Sequence, residues 1–274
     1  IHKGKQTLHG LPFMASLEMA REAIAQAIPQ QKEDNVLSIT NVQFGTFMQA
    51  SSANPIHIAL LPESESAANY EIYSQQDDED IIYTQGKATY TGKKATLQLD
   101  INALRQQMTK AAISGTTIYE NAAQYGTSYR GIKTIHVGNQ QILAHLQLPS
   151  EVVNDVKNYV LHPTILKSAV KAVSGITGNQ NEFATTTIIP TAITSVNIHA
   201  SCSSEMFAWI RYSENDTQAE NDLKIDIDLC DTNGTICAQF VGISFNTSVE
   251  STQFKPTVVK KETLVKVATP KPAE

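Results

Sequence analysis

"NYVLHPTILKSAVKAV", residues 158–173, sets Ile165, Leu166, Ala169, Val170, Ala172 and Val173 at helical spacing behind a His162–Pro163 pair. That period predicts a buried helix over about 163–175. His162 and Pro163 read as its start, because proline is tolerated in a first turn whose N–H groups lack intrahelical acceptors. Two lysines interrupt the apolar pattern. Lys167 and Lys171 lie one turn apart, so both side chains point the same way. Either they mark a solvated face, or a buried helix carries two amines. The surrounding apolar residues leave few faces to expose, which favours the second reading.

Working outward, "PFMASLEMAREAIAQAI" (12–28) has Phe13, Leu17, Ala20, Ile24 and Ile28 at helical spacing, with Pro29 ending the pattern. The runs "NVLSITNVQF", "IHIALL", "NYEIYS", "IIYTQGKATY" and "ATLQLDI" follow, and their alternation predicts strands. The order then repeats: strands in "IKTIHVGNQQILAHLQLP", the 163–175 helix, and strands in "TIIPTAITSVNIHA", "EMFAWIRYS", "LKIDIDLCD" and "TICAQFVGISF". "DTNGT" (231–235) is an Asn-Gly hairpin signal. The expected class is α+β: two long helices, each wrapped by antiparallel strands, with the two sheets side by side. Residues 1–100 form the first unit and 131–248 the second. Residues 101–130 connect them, with "NALRQQM" a short helix and "SGTT" a loop. The stretch 249–274, rich in Lys, Thr, Val and Pro, reads as an interdomain linker.

The 274 residues are 41% hydrophobic, enough for one large or two smaller cores. A net charge of −6 and no basic stripe disfavour a nucleic-acid partner. No apolar run approaches the roughly 18 residues that cross a bilayer, and the first residues lack a signal-peptide pattern, so a cytoplasmic protein is expected. Cys202, Cys230 and Cys237 have neither CxxC spacing nor an even count, which predicts reduced thiols rather than disulfides or zinc.

"LHPTILKSAV" resembles the "LHPxLLDxALQ" segment of dehydratase domains in modular polyketide synthases, and "YGTSYRGI" (125–132) resembles their "YGPxFxGI" segment. "LEMAREAI" is similar to their first central helix, "GNQQILAHLQLP" to the strand between the two motifs, and "DIDLCDTNGTICAQFVGISF" to their last hairpin. "LEMAREA" and "LCDTNGTIC" are similar to assembly lines that use a separate acyltransferase. The resemblance spans nearly the whole chain and implies a double hot-dog fold. It also implies an acyl substrate carried on the phosphopantetheine of an acyl carrier protein, with no cofactor of the domain's own. Neighbouring ketosynthase or other synthase domains and a homodimer are the further partners it implies.

In that family a histidine takes the α-proton and an aspartate on the second helix serves the departing hydroxyl. Here the aspartate position is Lys167, and the glutamine or histidine four residues later is Lys171. Aligning the family's HxxxGxxxxP glycine with Gly4 puts the histidine ahead of Ile1; His2 is the nearest candidate, while His9 falls where the family has proline or methionine. The resemblance therefore assigns Lys167 and His2 as the catalytic candidates. It also implies that Tyr125, Gly126, Tyr129, His162, Pro163 and Lys171 line the substrate tunnel, with Thr127 and Tyr129 replacing the family's proline and phenylalanine. A charge pair at ~4 Å and an effective dielectric of about 20 is worth about 4 kcal/mol, and ammonium for carboxylate reverses its sign. Ordinary dehydration is disfavoured. The expectation is a degenerate or repurposed domain, serving as a branching scaffold beside a ketosynthase or in cyclisation or isomerisation. The alternatives are an active dehydratase using Lys167 and a stand-alone hot-dog enzyme acting on coenzyme A thioesters.

Overall fold

The computed structural model describes residues 11–28, 35–46, 48, 55–76, 79–92, 96–120, 126–176, 188–214, 223–246 and 258–259. The first helix, α1 (Ala15–Ala27), buries Leu17, Ala20 and Ile24 completely, as their spacing requires. Strands β1 (Val36–Phe44), β2 (His57–Ser64), β3 (Ala67–Gln76) and β4 (Glu79–Thr91) follow. Helix α2 (Ile101–Gln107), β5 (Ala111–Ser114), α3 (Gly115–Tyr119), β6 (Ile132–Val137) and β7 (Gln141–Gln147) lead to α4 (Pro163–Ala172), which runs on into a 3-10 turn, Val173–Gly175. Strands β8 (Ile189–Ile198), β9 (Glu205–Tyr212), β10 (Leu223–Cys230) and β11 (Ile236–Asn246) complete the second half.

The strands form one antiparallel sheet in the order β2-β3-β4-β1-β8-β11-β10-β9-β7-β6-β5. The two halves meet side by side where β1 pairs with β8, from Leu37 opposite Ile198 to Gln43 opposite Ala192. Helix α1 packs on β2, β3 and β4, α4 packs on β6 and β7, and the helices touch each other. One apolar core therefore runs through both halves. A smaller cluster lies under α2, where Leu104 and Met108 cover Leu143, Phe207 and Ile236.

The "DTNGT" hairpin forms as its residues require. Asp231 Oδ1 accepts from the N–H groups of Asn233 and Thr235, each at 2.9 Å, and Gly234 adopts φ +87°. A side chain at Gly234 would also meet the Leu99 carbonyl oxygen at 2.1 Å.

Two readings need correction. "ATLQLDI" is not a ladder strand: among its described residues, 96–101, only Gln98 bridges, to Thr235, and Asp100 caps α2 by accepting from the Ala103 N–H at 2.9 Å. Its alternation arises because Leu97, Leu99 and Ile101 pack on the smaller cluster. "SGTT" is not a loop either. Ser114 caps α3, accepting from the Thr117 N–H, and ends β5, an edge strand too short to show a period.

The three cysteines are free and buried, and burial pushes their thiols up, to about 12 for Cys202 and Cys230 and about 11 for Cys237. Of the 249–274 stretch, only β12 (Val258–Val259) is described; it pairs with Ile81 and Asp80 of β4. Among the described residues no helix is long and apolar enough to cross a membrane.

Candidate functional site

Helix α4 begins as its sequence proposes. His162 is the N-cap, its Nδ1 accepting from the Thr164 N–H at 3.2 Å, and Pro163 occupies the first turn. Because Nδ1 accepts, the neutral ring carries its proton on Nε2. That atom is buried without a hydrogen-bond partner, and burial pushes the ring below its usual pKa despite the opposing pull of Asp155 and Glu18. Tyr159 meets the ring edge-on, with centroids 5.0 Å apart.

The helix is buried on nearly every side, which removes the reading of both lysines as a solvated face. Lys171 is 7% exposed, and burial lowers its pKa to about 8. Lys167 is half-buried and also lowered by burial, with Nζ 3.9 Å from the centroid of the Tyr129 ring. That ring belongs to a 3-10 turn, Thr127–Tyr129, which Gly126 introduces and which is tied to α4 where the Thr164 hydroxyl donates to the Ser128 carbonyl at 3.0 Å. Burial, with the nearby Tyr159, pushes the Tyr129 phenol upward. Past this turn, Gly131 lets β6 approach α4 closely: a Cβ there would lie 2.6 Å from Ser168 Oγ.

The structure thus gathers Lys167, Tyr129 and the Gly126 turn at one place, with His162 and Pro163 at the start of the same helix and Lys171 one turn beyond Lys167. His2 and Tyr125 lie outside the described residues, so their expected places in the site have no geometry here.

Glu18 escaped the sequence reading. It is 5% exposed, takes two hydrogen bonds from Arg21 at 2.8 and 2.9 Å, and accepts from the N–H groups of Val160 at 2.9 Å and Leu161 at 2.8 Å. One carboxylate therefore ties α1 to the segment that leads into α4. Its signal was a Glu-Arg pair three residues apart inside an apolar stripe, which reads equally well as a solvated pair.

A shallow cleft opens at the start of α1, lined by Leu11, Phe13, Met48 and Tyr83 with the hydroxyls of Ser16 and Thr84. None of its lining residues belongs to α4. Among the described residues no group of three or more His, Cys, Asp and Glu side chains could hold a metal. The chemistry at hand on α4 is that of two amines, a capped imidazole and hydroxyls.

A family model described as the polyketide synthase dehydratase N-terminal domain matches residues 99–254. Polyketide synthase PksM of Bacillus subtilis strain 168 is 32% identical over 247 residues, 85% of this chain and 6% of that protein. The chain therefore spans a small fraction of that relative's length. A dehydratase domain of a trans-acyltransferase polyketide synthase from Brevibacillus brevis superposes with a TM-score of 0.80 at 28% identity, covering 90% of this chain and 92% of the other. The CurK dehydratase, solved as an inactive mutant with asparagine for an aspartate, has a TM-score of 0.75 at 18% identity, covering 89% and 88%. At that identity the likeness concerns the fold.

Proposed function

The chain belongs to the polyketide synthase dehydratase family, with its double hot-dog fold and relatives in trans-acyltransferase synthases, and from that premise we propose that it handles acyl chains on a carrier protein without expelling water from them. The observation behind this reading is α4 itself, which holds Lys167 and Lys171 and no aspartate or glutamate. Elimination of a β-hydroxyl needs a base for the α-proton and an acid at the leaving oxygen. An ammonium at the acid's position cannot accept a hydrogen bond, and it repels the imidazolium that proton abstraction creates. In the CurK dehydratase, asparagine in place of one aspartate accompanies inactivity. Lysine departs further from a carboxyl group than an amide does.

In this reading the domain serves as a packing or branching scaffold beside a ketosynthase, or in cyclisation or isomerisation, within a cytoplasmic and dimeric synthase. Its substrate arrives on phosphopantetheine, and acid-base work on a thioester calls for no cofactor of the domain's own.

The test is to incubate the domain with a β-hydroxyacyl carrier protein and weigh the acyl chain by mass spectrometry. The expected result is an unchanged chain. Loss of one water that disappears in Lys167→Ala would establish the competing reading, a dehydratase that uses this lysine.

A further inference from the structure

Charge is divided between the two ends of the sheet. Residues 55–82, which supply β2, β3 and the start of β4, carry seven acidic side chains and no lysine or arginine. Residues 101–145, which supply α2, β5, β6 and the start of β7, carry Arg105, Lys110, Arg130 and Lys133 against Glu120 alone. Strand order places β2 at one edge and β5 at the other, so a chain with a net charge of −6 keeps one basic end.

The cations there lie on neighbouring elements. Arg105 on α2 is exposed, with its guanidinium carbon 5.7 Å from the centroid of the buried Phe207 ring. It stands close enough to His136 on β6 to help burial push that imidazole downward. Lys110, also exposed, donates to Asn139 Oδ1 at 3.3 Å, and its backbone N–H binds the Val137 carbonyl at 2.9 Å. Exposed Lys133 lies three residues before His136 on the same strand. Two carboxylates nearby are engaged within the fold: Glu205 meets His145 Nε2 at 2.7 Å, and Asp100 caps α2.

This basic strip runs into the candidate site. Arg130 directly follows Tyr129, the ring under Lys167, and its guanidinium carbon lies 5.9 Å from the centroid of the Tyr119 ring on α3. Strand β6 is six residues long, about 20 Å at ~3.3 Å per residue, so one small domain can cover the strip and still meet the Tyr129 turn.

We propose that this end of the sheet, with Arg105, Lys110 and Lys133, is the docking surface for an acidic carrier protein, placing the anionic phosphodiester of its arm beside Arg130 and Lys167. The inference rests on the reading that acyl chains reach α4 on such a carrier. Charge complementarity selects the partner: opposite potentials speed encounter and fix orientation, and both effects fade as salt screens them. The acidic end of a second copy offers the same sign of charge. That contact is head-to-tail, and it closes no two-fold pair; it builds rings or open chains.

The experiment titrates the 274-residue chain into a fluorescently labelled β-hydroxybutyryl carrier protein and reads Kd by anisotropy. Arg105→Glu/Lys110→Glu/Lys133→Glu reverses three exposed charges away from α4 and is expected to raise Kd about tenfold or more. Lys110→Glu/Lys133→Glu, which spares the contact of Arg105 with Phe207, should lose affinity in the same direction. Raising salt from about 50 to about 500 mM should weaken the wild type and leave the triple variant nearly unchanged. Glu71→Lys/Glu79→Lys, at the opposite end, should leave Kd within about twofold, because charges beyond a Debye length are screened.

Variants that bind as tightly as the wild type overturn the docking surface and leave the carrier reading intact. Equal and opposite effects at the two ends mean that net charge alone acts, which also overturns it. Sedimentation velocity without carrier tests the other occupant: self-association at low salt that the triple variant abolishes assigns this end to a second copy and overturns the proposal. No binding of the carrier by the wild type at low salt overturns the reading of a carrier-borne substrate together with the inference.

Discussion

Lys167 Nζ lies over the face of Tyr129, 3.9 Å from the ring centroid, so α4 and the 3-10 turn before β6 hold each other through an ammonium on an aromatic ring. A cation–π contact of this kind contributes about 0.5–2 kcal/mol, more when desolvated. Double-mutant cycles with Tyr129→Leu and Lys167→Met are expected to show a coupling energy in that range by urea denaturation, with Lys167→Arg retaining most of it. Strictly additive losses would mean that the contact contributes nothing.

Glu18 joins α1 to Val160 and Leu161 while paired with Arg21. Removing one partner of a buried pair leaves the other charge uncompensated, at a cost of about 3–5 kcal/mol. Arg21→Met, which leaves the buried Glu18 carboxylate without its cation, should therefore lower the denaturation midpoint strongly, and Glu18→Ala should lower it by stripping the Val160 and Leu161 N–H groups of their acceptor while Arg21 keeps its pairing with Glu22. The double variant Glu18→Ala/Arg21→Met should lose less than the two single losses combined.

Lys171 makes stability depend on pH in a definite direction. Its folded pKa is lowered to about 8, against an ordinary value of about 10.4. Between those values the unfolded chain binds more protons than the folded one, so this lysine's contribution to stability rises with pH. Below about 8 its burial penalty is full, about 3 kcal/mol from the size of the shift. Lys171→Met should accordingly stabilise the protein at pH 7, and the advantage should shrink as pH climbs towards about 10.4. A pH-independent difference between variant and wild type would contradict the assignment.

Gly131 and Ser168 form the tight contact between β6 and α4. Gly131→Ala places a methyl 2.6 Å from Ser168 Oγ, and overpacking of this kind costs about 1–3 kcal/mol. Ser168→Ala alone removes a buried hydroxyl that has no partner, so it should be neutral or stabilising by about 1 kcal/mol. Combined, the two changes should recover most of the loss in thermal denaturation. If they do not, the strain lies with Thr164 Cγ2 at 3.3 Å or the Gln147 carbonyl at 3.4 Å.

Periodicity made the two central helices and most strands legible, because one-sided burial imposes a period that a linear pattern records. It failed at 96–101, where the alternation served packing under α2 rather than strand pairing. It also failed at 111–119, where four-residue β5 and five-residue α3 are shorter than the window a period needs. Part of the candidate site's arrangement was legible as well: His162, Pro163, Lys167 and Lys171 stand at fixed offsets on one helix, and offsets survive without a fold.

The sequence by itself determined that α4 carries two amines and no carboxylate, and that its apolar residues must be covered. Tertiary structure alone decided what each amine faces. Lys167 lies over Tyr129 on a 3-10 turn that the Thr164 hydroxyl also ties to the helix. Lys171 loses its hydration only because α4 is enclosed by strands and by α1, distant in the chain. A lysine's charge depends on the dielectric and the groups around it, and those belong to contacts between remote segments rather than to local spacing.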